Sequence, residues 1–285
     1  MEQTRKFPGF GYALLLMLAV LVLMVGLIIP VAVVDFFFKM KLVEHPGVMS
    51  CISLVSSGTV IFVGALFTKA PFREVFPMKP VRPALALPVI LSVLGAVIVL
   101  SEADNWMRYA LPMPRWLEKI FVDLITAKHG FWISLLELAI VAPLTEELLF
   151  RGLILRGFLS RYSTRKAVVV SAVLFGLMHL NPWQMIAAVV LGLLLGWWFV
   201  RTRSLLPCLA GHALNNGSLL LSSFLPFHIS GFNLNSSLSG VTEFQPLWFD
   251  LLGLALLAGG IWLFAAWSRK PPPQTNAVDS AAQAG

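Results

Sequence analysis

Residues 131–155 read FWISLLELAIVAPLTEELLFRGLIL. At about 1.5 Å per residue this run is long enough to cross a hydrocarbon core about 30 Å thick. Yet it holds Glu137, Glu146, Glu147 and Arg151. An ionisable side chain at the bilayer centre costs about 2.5–3.5 kcal/mol on insertion scales. A span that keeps several of them must turn them inward, toward one another or toward water. The run is therefore read as one wall of a polar site inside a helix bundle.

Working outward, the rest of the chain fits that reading. Of 285 residues, 58% are hydrophobic and only 12% charged. Mean hydropathy is +0.84. Soluble domains carry about 25% charge, so the composition predicts an all-α, multi-pass transmembrane bundle. Apolar runs at about 10–34, 48–68, 83–101, 131–155, 166–180, 184–200, 205–225 and 246–267 give about eight spans. The first is too long for a secretory signal and lacks a cleavage pattern; it is expected to stay, bent at Pro30. Asn181-Pro182 and Ser204 supply helix starts, and Gly130 breaks the chain before the fourth span.

The net charge is +7, but the basic residues lie in short clusters between apolar runs. That is the pattern of cytoplasmic loop bias, and nucleic acid is not an expected partner. With eight spans and a cytoplasmic N-terminus, inner segments carry 14 Lys and Arg against 6 outside, Arg151 lying within a helix. A cell-membrane protein with both termini cytoplasmic follows. Cys51 and Cys208 lie in apolar stretches, so no disulfide framework is implied.

Four regions are expected. Residues 1–130 hold three spans and an interfacial loop helix, where Trp116, Ile120, Phe121, Leu124 and Ile125 lie opposite Glu118, Lys119 and Asp123. A loop helix packed on protein, without a lipid role, fits the pattern equally well. Residues 131–225 form a core that holds the polar residues, 226–270 an outer loop and the last span, and 271–285 a disordered cytoplasmic tail. No internal repeat is evident.

Three short motifs carry the chemistry. In Glu146-Glu147-Leu148-Leu149-Phe150-Arg151, Glu147 and Arg151 are four apart and face each other on a helix, while Glu146 points about 100° away. Pro143 upstream frees a backbone carbonyl and loosens the helix. A structural ion pair at a wet seam is the plainer explanation of this motif alone. Phe175-Gly176-Leu177-Met178-His179 ends the next span; a lone histidine there is most often an interface residue. In His212-Ala213-Leu214-Asn215-Asn216, His212 and Asn216 share a helix face, and both are common interhelical hydrogen-bond partners.

Depth joins the three. At helical rise, Glu146 lies roughly 15 Å from Arg156, His179 roughly 20 Å from Lys166 and His212 roughly 13 Å from Arg203. A carboxylate in a low-dielectric site can take a proton from water. One histidine can orient that water, and a second with a carboxamide can donate to an oxyanion. Alternatively Glu146, His179 and His212 form a set compatible with a divalent metal such as zinc. No His-Glu-x-x-His, Gly-x-Ser-x-Gly or nucleotide-binding Gly-Lys-Ser/Thr motif is present.

Glu-Glu-x-x-x-Arg, then Phe-x-x-x-His, then His-x-x-x-Asn across adjacent spans resembles the CPBP (CAAX-protease and bacteriocin-processing, or Abi) family of intramembrane endopeptidases. The resemblance covers about 131–225 and includes Arg151-Gly152 and Leu209-Ala210-Gly211-His212. It implies that Glu146 activates water, Glu147 pairs with Arg151, His179 helps hold the water, and His212 with Asn216 stabilises the oxyanion. The substrate would be a peptide or protein in or at the membrane. Two other classes remain open on the sequence: a non-catalytic scaffold or bacteriocin-immunity protein of the same fold, and a proton-coupled transporter. The motifs occupy one half of the chain only, which counts against the repeated halves of a transporter. Gly192 and Gly196 predict a close helix contact, either within the chain or with a second copy.

Overall fold

The computed structural model describes residues 7–128, 130–233 and 242–268. Among these, every regular element is helical. The expected tail at 271–285 lies outside them.

Helix α1 runs Phe10–Phe38, continuing through Pro30, and α2 runs Pro46–Phe67. A single turn, α3, covers Phe72–Val75, and α4 covers Ala86–Ala110. Helix α5 is Arg115–Ile125. Residues 131–159 form one uninterrupted helix, here α6, that alternates between α and π geometry. Its π turns are Glu137–Val141 and Leu148–Leu155, flanking the α-helical Ala142–Glu147. Then follow α7 (Thr164–Met178), α8 (Pro182–Thr202), α9 (Leu206–Ser222) and α10 (Leu247–Trp267).

Five helices are long and apolar enough to cross a membrane: Phe10–Phe38, Gly47–Phe67, Pro83–Ala110, Pro182–Thr202 and Leu247–Trp267. The other three expected spans are α6, α7 and α9. Helices α7 and α9 have only 15 and 17 residues, or roughly 22–26 Å of rise. These three are the helices that carry the motifs. Helix α4 runs to Ala110 rather than ending near 101, because its polar end pairs with itself: Arg108 Nε donates to Asp104 at 2.6 Å, one turn away.

Two predicted starts hold. Gly130 takes φ 111°, a conformation that favours glycine, directly before Phe131. Asn181 caps α8, its Oδ1 accepting from Gln184 N at 2.9 Å, with Pro182 at the first helical position. Ser204 lies one residue further out than a helix cap. Leu205 is the N-cap, while Ser204 Oγ accepts from Leu206 N and donates to the Lys79 carbonyl.

Small residues set the packing. Gly192 meets Ala172 and Phe175, and Gly196 meets Val168 and Leu155, so their neighbours are α7 and α6 of the same chain. Helices α4 and α10 pack through glycine. A Cβ on Gly95 would lie 2.2 Å from Leu257 N, and one on Gly260 would lie 2.4 Å from Ser92 N. No side chain fits without parting the backbones. Gly260→Leu is therefore expected to lower stability by about 1–3 kcal/mol or more, measured as a fall in thermal midpoint of the purified protein.

Helix α1 packs against α2 and leaves Val22, Ile29, Phe36 and Phe37 exposed, the surface expected of a helix facing acyl chains. At the ends of other helices, Trp106, Tyr109, Trp116, Trp132 and Trp248 are also exposed, as in an interfacial aromatic belt. Helix α5 has no buried residue, in keeping with an interfacial position. Asp123 on it accepts from Lys119 and Lys128, and these hydrogen bonds hold its carboxyl below the usual range. The tie is thus present above the ordinary carboxylate range and lost as pH falls through the lowered value.

Candidate functional site

The two π turns of α6 bracket Glu146 and Glu147. A π turn inserts an extra residue into the helix and reorients the side chains beside it. Pro143, which cannot donate to Ala139, lies just after the first. The loosening expected from that proline is observed as this wide turn.

Glu147 is fully buried. Its Oε1 accepts from Arg151 Nη1 at 2.7 Å and from His212 Nδ1 at 2.8 Å. The expected i,i+4 pair is therefore the centre of a triad reaching to α9. Arg151, also buried, sends Nη2 to the Gly192 carbonyl at 3.3 Å and lies over the Phe175 ring, 4.6 Å from its centroid. A guanidinium with a carboxylate, a carbonyl and a π face is well compensated for leaving water.

Glu146 points elsewhere, as the helical offset requires, but it is not isolated. Its Oε2 lies 3.7 Å from His212 Nε2. That separation is too long for a hydrogen bond. His212 therefore stands between the two glutamates, one on each ring nitrogen. Gly211 allows this: a Cβ there would lie 2.4 Å from the Trp198 ring, so α9 presses onto α8 directly beside the histidine.

His179 enters through Phe175. Its Nδ1 lies 2.9 Å from the Phe175 carbonyl, which can only accept, so the proton is on Nδ1 and Nε2 is a free acceptor. The Phe175 ring packs edge-to-face on His179 at 5.2 Å and on His212 at 5.8 Å. Asn181 Nδ2 donates to the His179 carbonyl at 3.0 Å, and Trp183 Nε1 donates to the Leu111 carbonyl. The turn after His179 is thereby fixed from both sides. Asn181→Ala should cost about 1 kcal/mol through the lost cap alone and reduce activity by loosening His179. A thermal melt and a cleavage assay on the same preparation check both effects.

Asn216 is the outlying member. Asn215 Nδ2 donates to its Oδ1 at 3.0 Å, and among the described residues no hydrogen bond joins it to the other five. That contact leaves its amide hydrogens free. Motif reading gave no roles to Phe175, Asn215 or the Gly192 carbonyl. Phe175 was visible only as the first letter of a histidine motif, and the Gly192 carbonyl has no side-chain signal at all.

For a neutral His212, donation from Nδ1 to Glu147 leaves Nε2 as an acceptor, so donation to an oxyanion requires the doubly protonated ring. For zinc, no three His, Cys, Asp or Glu side chains among the described residues are gathered into a ligand set. Glu146 Oε2 lies 3.7 Å from His212 Nε2, and the Phe175 ring packs on both histidines.

Residues 128–218 match the family model described as type II CAAX prenyl endopeptidase Rce1-like. The likeness to that family covers 91 of the 285 residues. The match bears out the resemblance to CPBP endopeptidases and spans all six motif residues. It supports a CAAX-type intramembrane protease function and a membrane-associated protein substrate in general terms. Comparison with curated proteins and with solved structures gave no significant match. The matched region takes in α6 to α8 and most of α9.

Proposed function

We propose that the chain is an intramembrane endopeptidase that hydrolyses a peptide bond in a membrane-associated peptide or protein, with Glu146 as general base. The observation that carries this reading is the 3.7 Å gap between Glu146 Oε2 and His212 Nε2, held open because Glu147 fixes the other side of the same ring.

A water seated against both groups loses a proton to Glu146 as its oxygen attacks the carbonyl carbon. The new C–O bond forms and the carbonyl electrons move to oxygen, giving a tetrahedral oxyanion. The free amide hydrogens of Asn216 donate to that oxygen, its Oδ1 being held by Asn215. The C–N bond then breaks, and the proton on Glu146 passes to the leaving amine. His212 Nε2 accepts the water's second hydrogen, and His179 Nε2 accepts from a second water that hydrogen-bonds to the first and keeps it in place. No step in this scheme passes through a metal.

Eight crossings are proposed: the five long apolar helices together with α6, α7 and α9. Both ends then lie on the cytoplasmic side, from which the substrate is reached.

The test is cleavage by the purified protein in lipid vesicles, using a farnesylated peptide ending in a CAAX sequence, its unmodified form and a membrane-spanning peptide. At least one should be cut. His179→Ala should cut it about 10²–10⁴-fold more slowly while remaining in the membrane. Equal rates for the variant and the native chain would remove His179 from the mechanism. Inertness toward all three substrates would count against the protease reading.

A further inference from the structure

Hydrolysis in a bilayer needs a path for water, and one face of α2 offers it. Ser50 donates to Glu137 Oε2 on α6, and a Cβ on Gly64 would meet the Leu153 side chain at 2.9 Å. The two helices therefore run parallel. Between these contacts, 14 residues of α2 match 16 of α6, so Ser57, midway on α2, lies level with Thr145 and Glu146. Ser50, Ser53 and Ser57 follow the i, i+3, i+7 spacing of a single helix face.

The facing side of α6 is also polar. Ser134 and Glu137 are three apart and share a face. Ser134 is fully buried, and its Oγ has no hydrogen-bond partner in the protein. The same holds for Glu146 Oε2 and Glu147 Oε2 at the inner end. Buried polar atoms without protein partners are the usual places for internal water. Helix α2 touches α6 along the Phe131–Leu136, Glu137–Val141, Ala142–Glu147 and Leu148–Leu155 segments, so the serine face follows the carboxylates continuously. Glu137 also lies within electrostatic reach of Glu146.

We infer that the seam between α2 and α6, from Ser134, Glu137 and Ser50 to Ser57, is the route by which water reaches Glu146, with Glu137 as the residue that holds water in it. The inference rests on the hydrolase reading for its purpose, but the seam can be tested without catalysis.

The first arm is cysteine accessibility in native membranes, in a Cys51→Ala/Cys208→Ala background. Ser57 lies roughly 16 Å along α2 from Pro46. Ser57→Cys should react with a small charged, bilayer-impermeant thiosulfonate. Val55→Cys, which is exposed on the outer face of α2, should not. The second arm is kinetic. Glu137→Leu should lower kcat by about tenfold with little change in KM, the signature of a group that does not bind substrate. Glu137→Gln, which can still hydrogen-bond water, should restore most of the rate. A Ser57→Cys thiol that reacts only after unfolding overturns the route. Full kcat in Glu137→Leu overturns the role of Glu137. No cleavage of any substrate by the native chain would instead remove the hydrolase reading, and cleavage surviving in Glu146→Gln would remove Glu146 as its base; either leaves the labelling result to stand on its own.

Discussion

Glu146→Gln is expected to stop peptide cleavage, by about 10²–10⁴-fold or more, with the protein still folded and in the membrane. The substitution keeps the shape of the side chain and removes only its basicity. Glu146 makes no hydrogen bond within the described protein, and its one near polar neighbour is His212 Nε2 at 3.7 Å. Little stability should therefore change, and loss of turnover reports on chemistry. A thermal melt and a single-turnover assay on the same sample separate the two. The same variant discriminates the rival class: a scaffold or immunity protein tolerates the amide in a complementation test, and a hydrolase does not.

Arg151→Met should have the largest effect on stability. Arg151 is buried, with its guanidinium shared among Glu147, the Gly192 carbonyl and the Phe175 ring. Removing it leaves Glu147 buried and charged with only His212 as partner. Breaking a buried ion pair from one side typically costs about 3–5 kcal/mol. The variant should melt far lower or be lost from the membrane. The paired change Glu147→Gln/Arg151→Met neutralises both groups and should recover much of the stability. It should not recover full activity, because a neutral amide holds His212 Nδ1 less firmly than a carboxylate does. Single variants as stable as the native chain would show that the pair carries no structural load.

The catalytic candidates were legible because each breaks a local pattern. An acid, an imidazole or a carboxamide in an apolar run stands out, and i,i+4 spacing on a helix is a geometric certainty once the helix forms. Glu147 and Arg151 therefore meet as the spacing requires. Glu137, to which the sequence gave no motif, proves interhelical through Ser50. Less legible were contacts between helices. Whether Glu146 meets His212, or whether Phe175 touches both histidines, depends on helix rotation and on where glycines let backbones approach. The π turns are a further case: Pro143 signals a disturbance in α6 but not that the helix widens on both sides of the glutamates.

Composition, hydrophobic run length and helical spacing thus determined a helical membrane protein, the identity of its polar residues and the pair within one helix, since these depend on transfer energies and local geometry. Tertiary structure alone decided that His212 lies between two glutamates and that a serine face on α2 runs level with Glu146. Those relations join residues up to 89 positions apart, from Ser57 to Glu146, and no periodicity within one segment records how two helices are turned toward each other.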